Sequence, residues 1–198
     1  TYIVFFQVGW ILRREEAQAR DGETDFLVCH PDYGYLCVEV KGGGVGFDAD
    51  TGEWYSIDRY RQKHSIKNPI SQSLNAKYSI RTKLNEQQAW RDLSLGNVLR
   101  GHAVFFPDLG DAHLLSRPDM PSVLIGSAGD LQDPRTWVDN AFQYWGDQSS
   151  GYSPIGRRGV EVVRQIFARS FMVAPLLSSR LADQEVRRLS LTKDQIRV

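Results

Sequence analysis

Little in this chain suggests an extracellular or membrane setting. Its 198 residues include only two cysteines, Cys29 and Cys37. They lie in two apolar runs, not opposite each other, and neither belongs to a C-x-x-C pair. A disulfide framework and a cysteine metal site are therefore not encoded, and both thiols read as small buried side chains of a reducing cytoplasm. No stretch approaches the roughly 20 apolar residues needed to span a bilayer. Thr1 to Phe6 is apolar but brief, with no basic residues ahead of it, so it reads as a first strand and not a signal peptide. An excess of charge is also missing: Lys plus Arg number 24, as do Asp plus Glu. The chain thus lacks the global electrostatic footprint of a nucleic-acid binder. Pro- or Ser-rich linkers, low-complexity tracts and repeats are absent. The length suits one domain of ordinary size with a real core.

What is present begins with two β-branched and aromatic-rich runs, Phe26 to Cys29 and Tyr35 to Val38. Between them His30-Pro31-Asp32-Tyr33-Gly34 has turn residues in turn positions. A five-residue loop pairs Cys29 with Tyr35 and Leu27 with Cys37, and sets Asp25 opposite Glu39. Opposed residues share a face, with Cβ atoms roughly 4.5–5.5 Å apart. Lys41 follows Glu39 at the spacing that keeps both on one face. A register slip of one residue would separate the carboxylates. Two close carboxylates repel unless a cation or a proton lies between them. A divalent, oxygen-seeking ion such as Mg2+ or Mn2+ suits the pair. It would polarise a phosphoryl group and acidify a water, while Lys41 stabilises the charge built up on phosphorus. The plainer alternative is a strand-edge ion pair between Asp25 and Lys41, worth at most about 1 kcal/mol if exposed.

Further strands are expected near 2–8, 44–48, 53–58, 102–106 and 122–126. Asp50-Thr51-Gly52 is read as a hairpin turn. Gly42-Gly43-Gly44 either opens the backbone to a phosphate or marks a bend. A helix is expected near 69–90, with Asn68 as N-cap, Pro69 at the first position and an inward stripe of Ile70, Leu74, Tyr78 and Leu84. Gln72 sits on its first turn. Trp137, Phe142, Tyr144 and Trp145 form an apolar stripe that is better read as core than as a base-stacking surface. Val160 to Phe171 is amphipathic, and Pro175 starts a helix running through Val186.

The phrases Gly22-Glu23-Thr24-Asp25-Phe26, Gly34-Tyr35-Leu36-Cys37-Val38-Glu39-Val40-Lys41-Gly42-Gly43, Gly52-Glu53-Trp54 and Lys67-Asn68-Pro69-Ile70-Ser71-Gln72 resemble the nuclease-related domain, NERD. That family belongs to the PD-(D/E)xK, restriction-endonuclease-like superfamily. The resemblance covers about residues 20 to 85, with Val104-Phe105-Phe106-Pro107-Asp108 matching more loosely. It implies an α/β fold with a central mixed β-sheet flanked by helices. It also implies Asp25 and Glu39 as metal ligands, Lys41 as catalytic lysine, Glu23 as a possible additional acid and Gln72 as an orienting residue. In the superfamily another acid often lies on a helix before this strand. By that resemblance its place is upstream of Thr1, because Glu15 and Glu16 fall in the polar link.

From Arg59 to Asn85 there is no Asp or Glu, while Arg59, Arg61, Lys63, Lys67, Lys77, Arg81 and Lys83 are basic. Lys63, Lys67, Lys77 and Arg81 are the candidates for phosphate contacts, which would make DNA binding salt-dependent. Leu191-Thr192-Lys193-Asp194-Gln195 resembles the start of a superfamily 1, UvrD-like helicase, with Gln195 as the adenine-reading glutamine. The expected organisation is a nuclease-related core at 1–130, a helical extension at 131–186 and the start of a helicase at 187–198. The expected function is a metal-dependent DNA nuclease at the N-terminus of a nuclease–helicase in DNA processing, repair or defence, cytoplasmic, with a homodimer as an option. The alternative is a catalytically inactive module of the same fold that binds DNA or positions the helicase.

Overall fold

Gly34 shows how the sequence builds the sheet. In a computed structural model, which describes residues 1–14 and 17–167, a Cβ on Gly34 would lie 1.9 Å from the carbonyl oxygen of Leu99. Only glycine lets the two parallel strands begin side by side. Strand β3 (Gly34–Val40) pairs in parallel with β7 (Leu99–Phe106), and β7 pairs in parallel with β8 (Ile125–Ser127). On the other side β3 is antiparallel to β2 (Ala17–Cys29), which is antiparallel to β1 (Ile3–Arg14). The central sheet is therefore mixed, in the order β1-β2-β3-β7-β8. All but the last residue of β3 is buried, as expected of a strand covered on both faces.

Parallel strands need a long crossover. Here it contains an antiparallel meander of β4 (Gly44–Asp48), β5 (Glu53–Ile57) and β6 (Lys63–Ile66), followed by helix α1 (Pro69–Glu86). Helix α1 is capped as read from the sequence: Asn68 Oδ1 accepts from the N–H groups of Ile70 at 2.9 Å and Ser71 at 3.2 Å. It stops at Glu86, before the expected end, because Gln87 takes an extended backbone. A separate turn, α2 (Gln88–Arg91), follows. The inward stripe is Ile70, Ser73, Ala76, Lys77, Ile80 and Leu84. Tyr78 was expected in that stripe and instead lies 52% exposed.

Two apolar layers hold the sheet. On one face Leu27, Cys29, Tyr35 and Cys37 pack with Ala76, Ile80 and Leu84 of α1 and Val160 and Val163 of α4 (Gly156–Phe167). On the other, Leu36, Val38, Val104 and Phe106 pack with Trp137 and Phe142 of α3 (Pro134–Asp147) and with Trp54 of the meander. Both cysteines are free and fully buried, and burial pushes each thiol well above its ordinary pKa. Trp137 and Phe142 are core residues, as expected.

Strand β6 was not expected, because its alternation is hidden in the basic run Lys63-His64-Ser65-Ile66. The expected strand at 122–126 divides into a 3₁₀ turn at Ser122–Leu124 and the short β8. Glu15, Glu16, the helix expected from Pro175 and the helicase-like phrase with Gln195 lie outside the described residues. Among the described residues no helix is long and apolar enough to cross a membrane.

Candidate active site

The register read from the loop length is the register observed: Cys29 pairs with Tyr35 and Leu27 with Cys37. The ladder ends at Phe26–Val38, one pair before Asp25 and Glu39. There the strands are tied by side chains. Asp25 Oδ2 accepts the Val40 N–H at 2.7 Å. The buried Thr24 hydroxyl lies 3.3 Å from both the Val38 and the Phe26 carbonyl oxygens and donates to them. Asp25 thus replaces a backbone partner and is held beside the end of β3.

Glu39 is 4% exposed. Burial is the main cause that raises its pKa above the ordinary glutamate value, and the nearby charges of Asp25 and Glu23 raise it further. Lys41 opposes them: its Nζ lies 2.6 Å from Glu39 Oε1 and both donates to and pairs with it. Asp25, Glu39 and Lys41 therefore do converge, with the exposed Glu23 at their margin. This is also more than a strand-edge ion pair, since the partner of Lys41 is Glu39 and that carboxylate is buried.

Gln72 is half-buried on the first turn of α1, and its Oε1 is buried with no hydrogen-bond partner among the described residues. The Tyr35 hydroxyl donates to the Lys77 carbonyl at 3.4 Å, so the middle of α1 lies over the first half of β3. With a rise of about 1.5 Å per residue, Gln72 is about 7.5 Å nearer the Glu39 end. An unpaired buried acceptor on that side is a costly feature without a structural use.

The glycine run serves as a bend. Gly43 has φ +76°, and its N–H donates to Asp108 Oδ2 at 2.6 Å. Lys41 N–H donates to the Phe105 carbonyl at 3.0 Å. Asp108, just past β7, thereby fixes the chain that leaves Lys41. Sequence reasoning missed its role, though it stands in the Phe-Phe-Pro-Asp phrase, and it missed Thr24, which lies within the Glu-Thr-Asp phrase.

The basic run is divided by the fold. Lys63, Lys67 and Arg81 are exposed, with Lys63 Nζ 4.3 Å from the Tyr55 ring centroid. Lys77 is 7% exposed and is corrected out of that surface: helical spacing turns it into the core stripe. It lies 4.3 Å from the Trp145 ring, and burial lowers its pKa to about 8. The His102 ring lies 4.7 Å from Trp145, tilted by 39°, and is held neutral by burial, with its pKa lowered to about 3.

Compared with known families, residues 2–107 match the family model of the nuclease-related domain. The chain belongs to the nuclease-related domain family. The phrases carrying Asp25, Glu39, Lys41 and Gln72 all fall within the matched span, and the mixed sheet with flanking helices is consistent with the PD-(D/E)xK superfamily. No curated protein and no solved structure matches the chain.

The residues of this nuclease-related domain fit a hard divalent ion in a limited way. Among the described residues no group of three or more His, Cys, Asp or Glu side chains is placed to hold a metal. Two carboxylates are nevertheless the donor set from which Mg2+ is commonly held, the remaining positions being taken by water and phosphate oxygens.

Proposed function

We propose that this nuclease-related domain is a Mg2+- or Mn2+-dependent nuclease that hydrolyses phosphodiester bonds of DNA. The observation that carries the reading is the buried Glu39 carboxylate, beside Asp25 and Glu23 and answered by Lys41. A protein seldom keeps such a costly group unless a ligand uses it. Asp25 and Glu39 would hold the ion, which when bound would polarise the phosphoryl group and acidify an attacking water. Lys41 would leave Glu39 for the non-bridging phosphate oxygens, where its charge stabilises the developing negative charge. The Gln72 amide oxygen would accept from the water and orient it. Asp25, held by the Val40 N–H, needs no reorientation. Asp108, through Gly43, keeps the Lys41 backbone in place. Lys63, Lys67 and Arg81 would contact DNA phosphates.

A second reading is a catalytically inactive module of the same fold that binds DNA or positions a helicase. Its support is the short Lys41–Glu39 contact, which fills the place of an ion, together with the lack of a third ligand among the described residues. The helicase-like phrase supports a nuclease–helicase in DNA processing, repair or defence; a homodimer would let it cut both strands.

Incubating labelled linear and circular DNA with Mg2+ or Mn2+ tests both readings. The expected result is metal-dependent cutting that falls about 10²–10³-fold in Lys41→Ala, and to background in Asp25→Asn. Cutting of circles would identify an endonuclease. A folded wild type that binds DNA without cutting it would overturn the catalytic reading in favour of the binding module.

A further inference from the structure

A second polar site lies at the opposite end of β3 from the carboxylates. A cavity of about 270 Å³ opens between the C-terminal half of α1, α2 and the start of β7. Tyr35 and Trp90 form its apolar wall, and Arg81, Asn85, Asn97 and Arg100 supply the polar groups. None of its lining residues is acidic. Arg100 Nη2 donates to Asn97 Oδ1 at 3.4 Å, which aims the guanidinium and leaves its charge unanswered. Neither arginine forms an ion pair among the described residues. Both charges act on the Tyr35 hydroxyl, and Arg100 also repels the buried Lys77. Two guanidinium groups thus line the cavity with no carboxylate among its lining residues. Arg81 also borders a shallower depression with Tyr78 and Glu86, but Lys83 engages that Glu86 at 2.7 Å.

Like charges held together around a polar hollow are relieved by an anion, and guanidinium forks match phosphate oxygens bidentately. We propose that the Arg81–Arg100 cavity is a phosphate-binding subsite, separate from the carboxylate site, that anchors a nucleic-acid strand by one of its phosphates. The hollow is too small for a base pair but admits a phosphate with part of its sugar. Tyr78, exposed beside it, offers a face on which the adjoining base stacks. Tyr35 precedes Glu39 by four residues, about 13 Å along a strand. The anchored phosphate is therefore not the scissile one, and the subsite would set how far from an end or a branch the strand is presented. The inference leans on the nuclease reading only for a nucleic acid as the carrier of the phosphate.

The test is binding of 3′-labelled single-stranded oligonucleotides in EDTA, where the proposed cutting is silent, so a failed nuclease assay does not bear on the outcome. The oligonucleotide carries either a 5′-phosphate or a 5′-hydroxyl, and inorganic phosphate serves as competitor. In Arg81→Gln, at an exposed position, and in Arg81→Gln/Arg100→Gln, affinity should fall about tenfold, and the salt slope by about 0.7 per lost contact. Loss confined to the 5′-phosphorylated strand identifies a terminal phosphate. Equal loss for both strands identifies an internal phosphodiester. Unchanged affinity and salt slope for both strands in folded Arg81→Gln and in the double variant would overturn the subsite.

Discussion

Replacing Lys41 with Met keeps most of the side-chain stem and removes the charge from the buried Glu39. In the structure the pair is 2.6 Å apart, with the Lys41 side chain 25% and the Glu39 side chain 5% exposed. At an effective dielectric of about 20 the gross attraction is on the order of 6 kcal/mol, most of it offset by desolvation of both groups. Losing one partner of a buried pair costs about 3–5 kcal/mol, and the partial access of water at Lys41 brings the expectation down to about 2 kcal/mol. For a domain of this size that is a fall of about 4–8 °C in melting temperature. The pH dependence supplies the sharper test. The pKa of Glu39 is raised in the folded state, first by burial. Its contribution to stability is therefore present below the ordinary glutamate value and lost as pH rises through the folded one. Without Lys41 that loss grows, so the cost of Lys41→Met should be small at about pH 4, below the ordinary glutamate value, and larger at about pH 8. Removing both charges, as in Glu39→Gln/Lys41→Met, should restore most of the loss. Urea melts of wild type and the two variants at both pH values, in EDTA, decide the matter. Adding Mg2+ to about ten times its dissociation constant should then return about 1.4 kcal/mol to Lys41→Met. A cost that is the same at both pH values, or a double variant no better than Lys41→Met, would refute the account of Glu39 as a buried charge answered by Lys41.

Lys77→Met should stabilise the protein by about 1–2 kcal/mol at pH 7, because burial lowers the lysine pKa to about 8. That depressed pKa means the lysine contributes more stability as pH rises, so the gain from Lys77→Met should shrink towards about pH 10 in pH-resolved melts. Gly34→Ala should fail to fold or lose more than about 3 kcal/mol in urea, since its Cβ would meet the Leu99 carbonyl at 1.9 Å. Cys29 and Cys37 should ignore a thiol reagent in the native state and react once the protein is unfolded, because both are fully buried with raised pKa values.

The β2–β3 hairpin was legible because three local signals agree: a five-residue turn, two continuous apolar runs on either side of it, and acids placed in phase. The same signals located Asp25, Glu39 and Lys41 on one face. Helix α1 was legible at its start, where Asn68 and Pro69 act locally. Its buried stripe was not, because local periodicity offers Leu74 and Tyr78 as readily as Ser73 and Lys77. Only packing against β3 and β7 selects between them, and it accepts a lysine by laying its charge on Trp145. Strand β6 was hidden for a related reason. Its residues are mostly exposed, so the pairing with β5 is carried by the backbone and leaves little apolar alternation to read.

The end of the β2–β3 ladder shows why the chemistry lay nearer the surface of the sequence than the structural support for it. Carboxylates proposed to share one ion must be where alternation puts them, and Asp25 and Glu39 obey the period of the strand. The groups that hold them need only reach from some neighbouring segment. Asp108 does so from beyond β7, at a separation in sequence that no local pattern encodes. Thr24 does so from the adjacent position, where its side chain turns inward and closes the gap left when the ladder stops. Asp25 takes part in both roles, as an expected ligand and as acceptor for the Val40 N–H. Its replacement should therefore separate them. Asp25→Asn keeps an oxygen for Val40 and loses the charge, so it should abolish metal-dependent cutting with little change in the melt. Asp25→Ala leaves that N–H without its partner and should add a loss of about 1–2 kcal/mol. If the two variants melt alike, the hydrogen bond to Val40 is not what holds Asp25 at the end of β3.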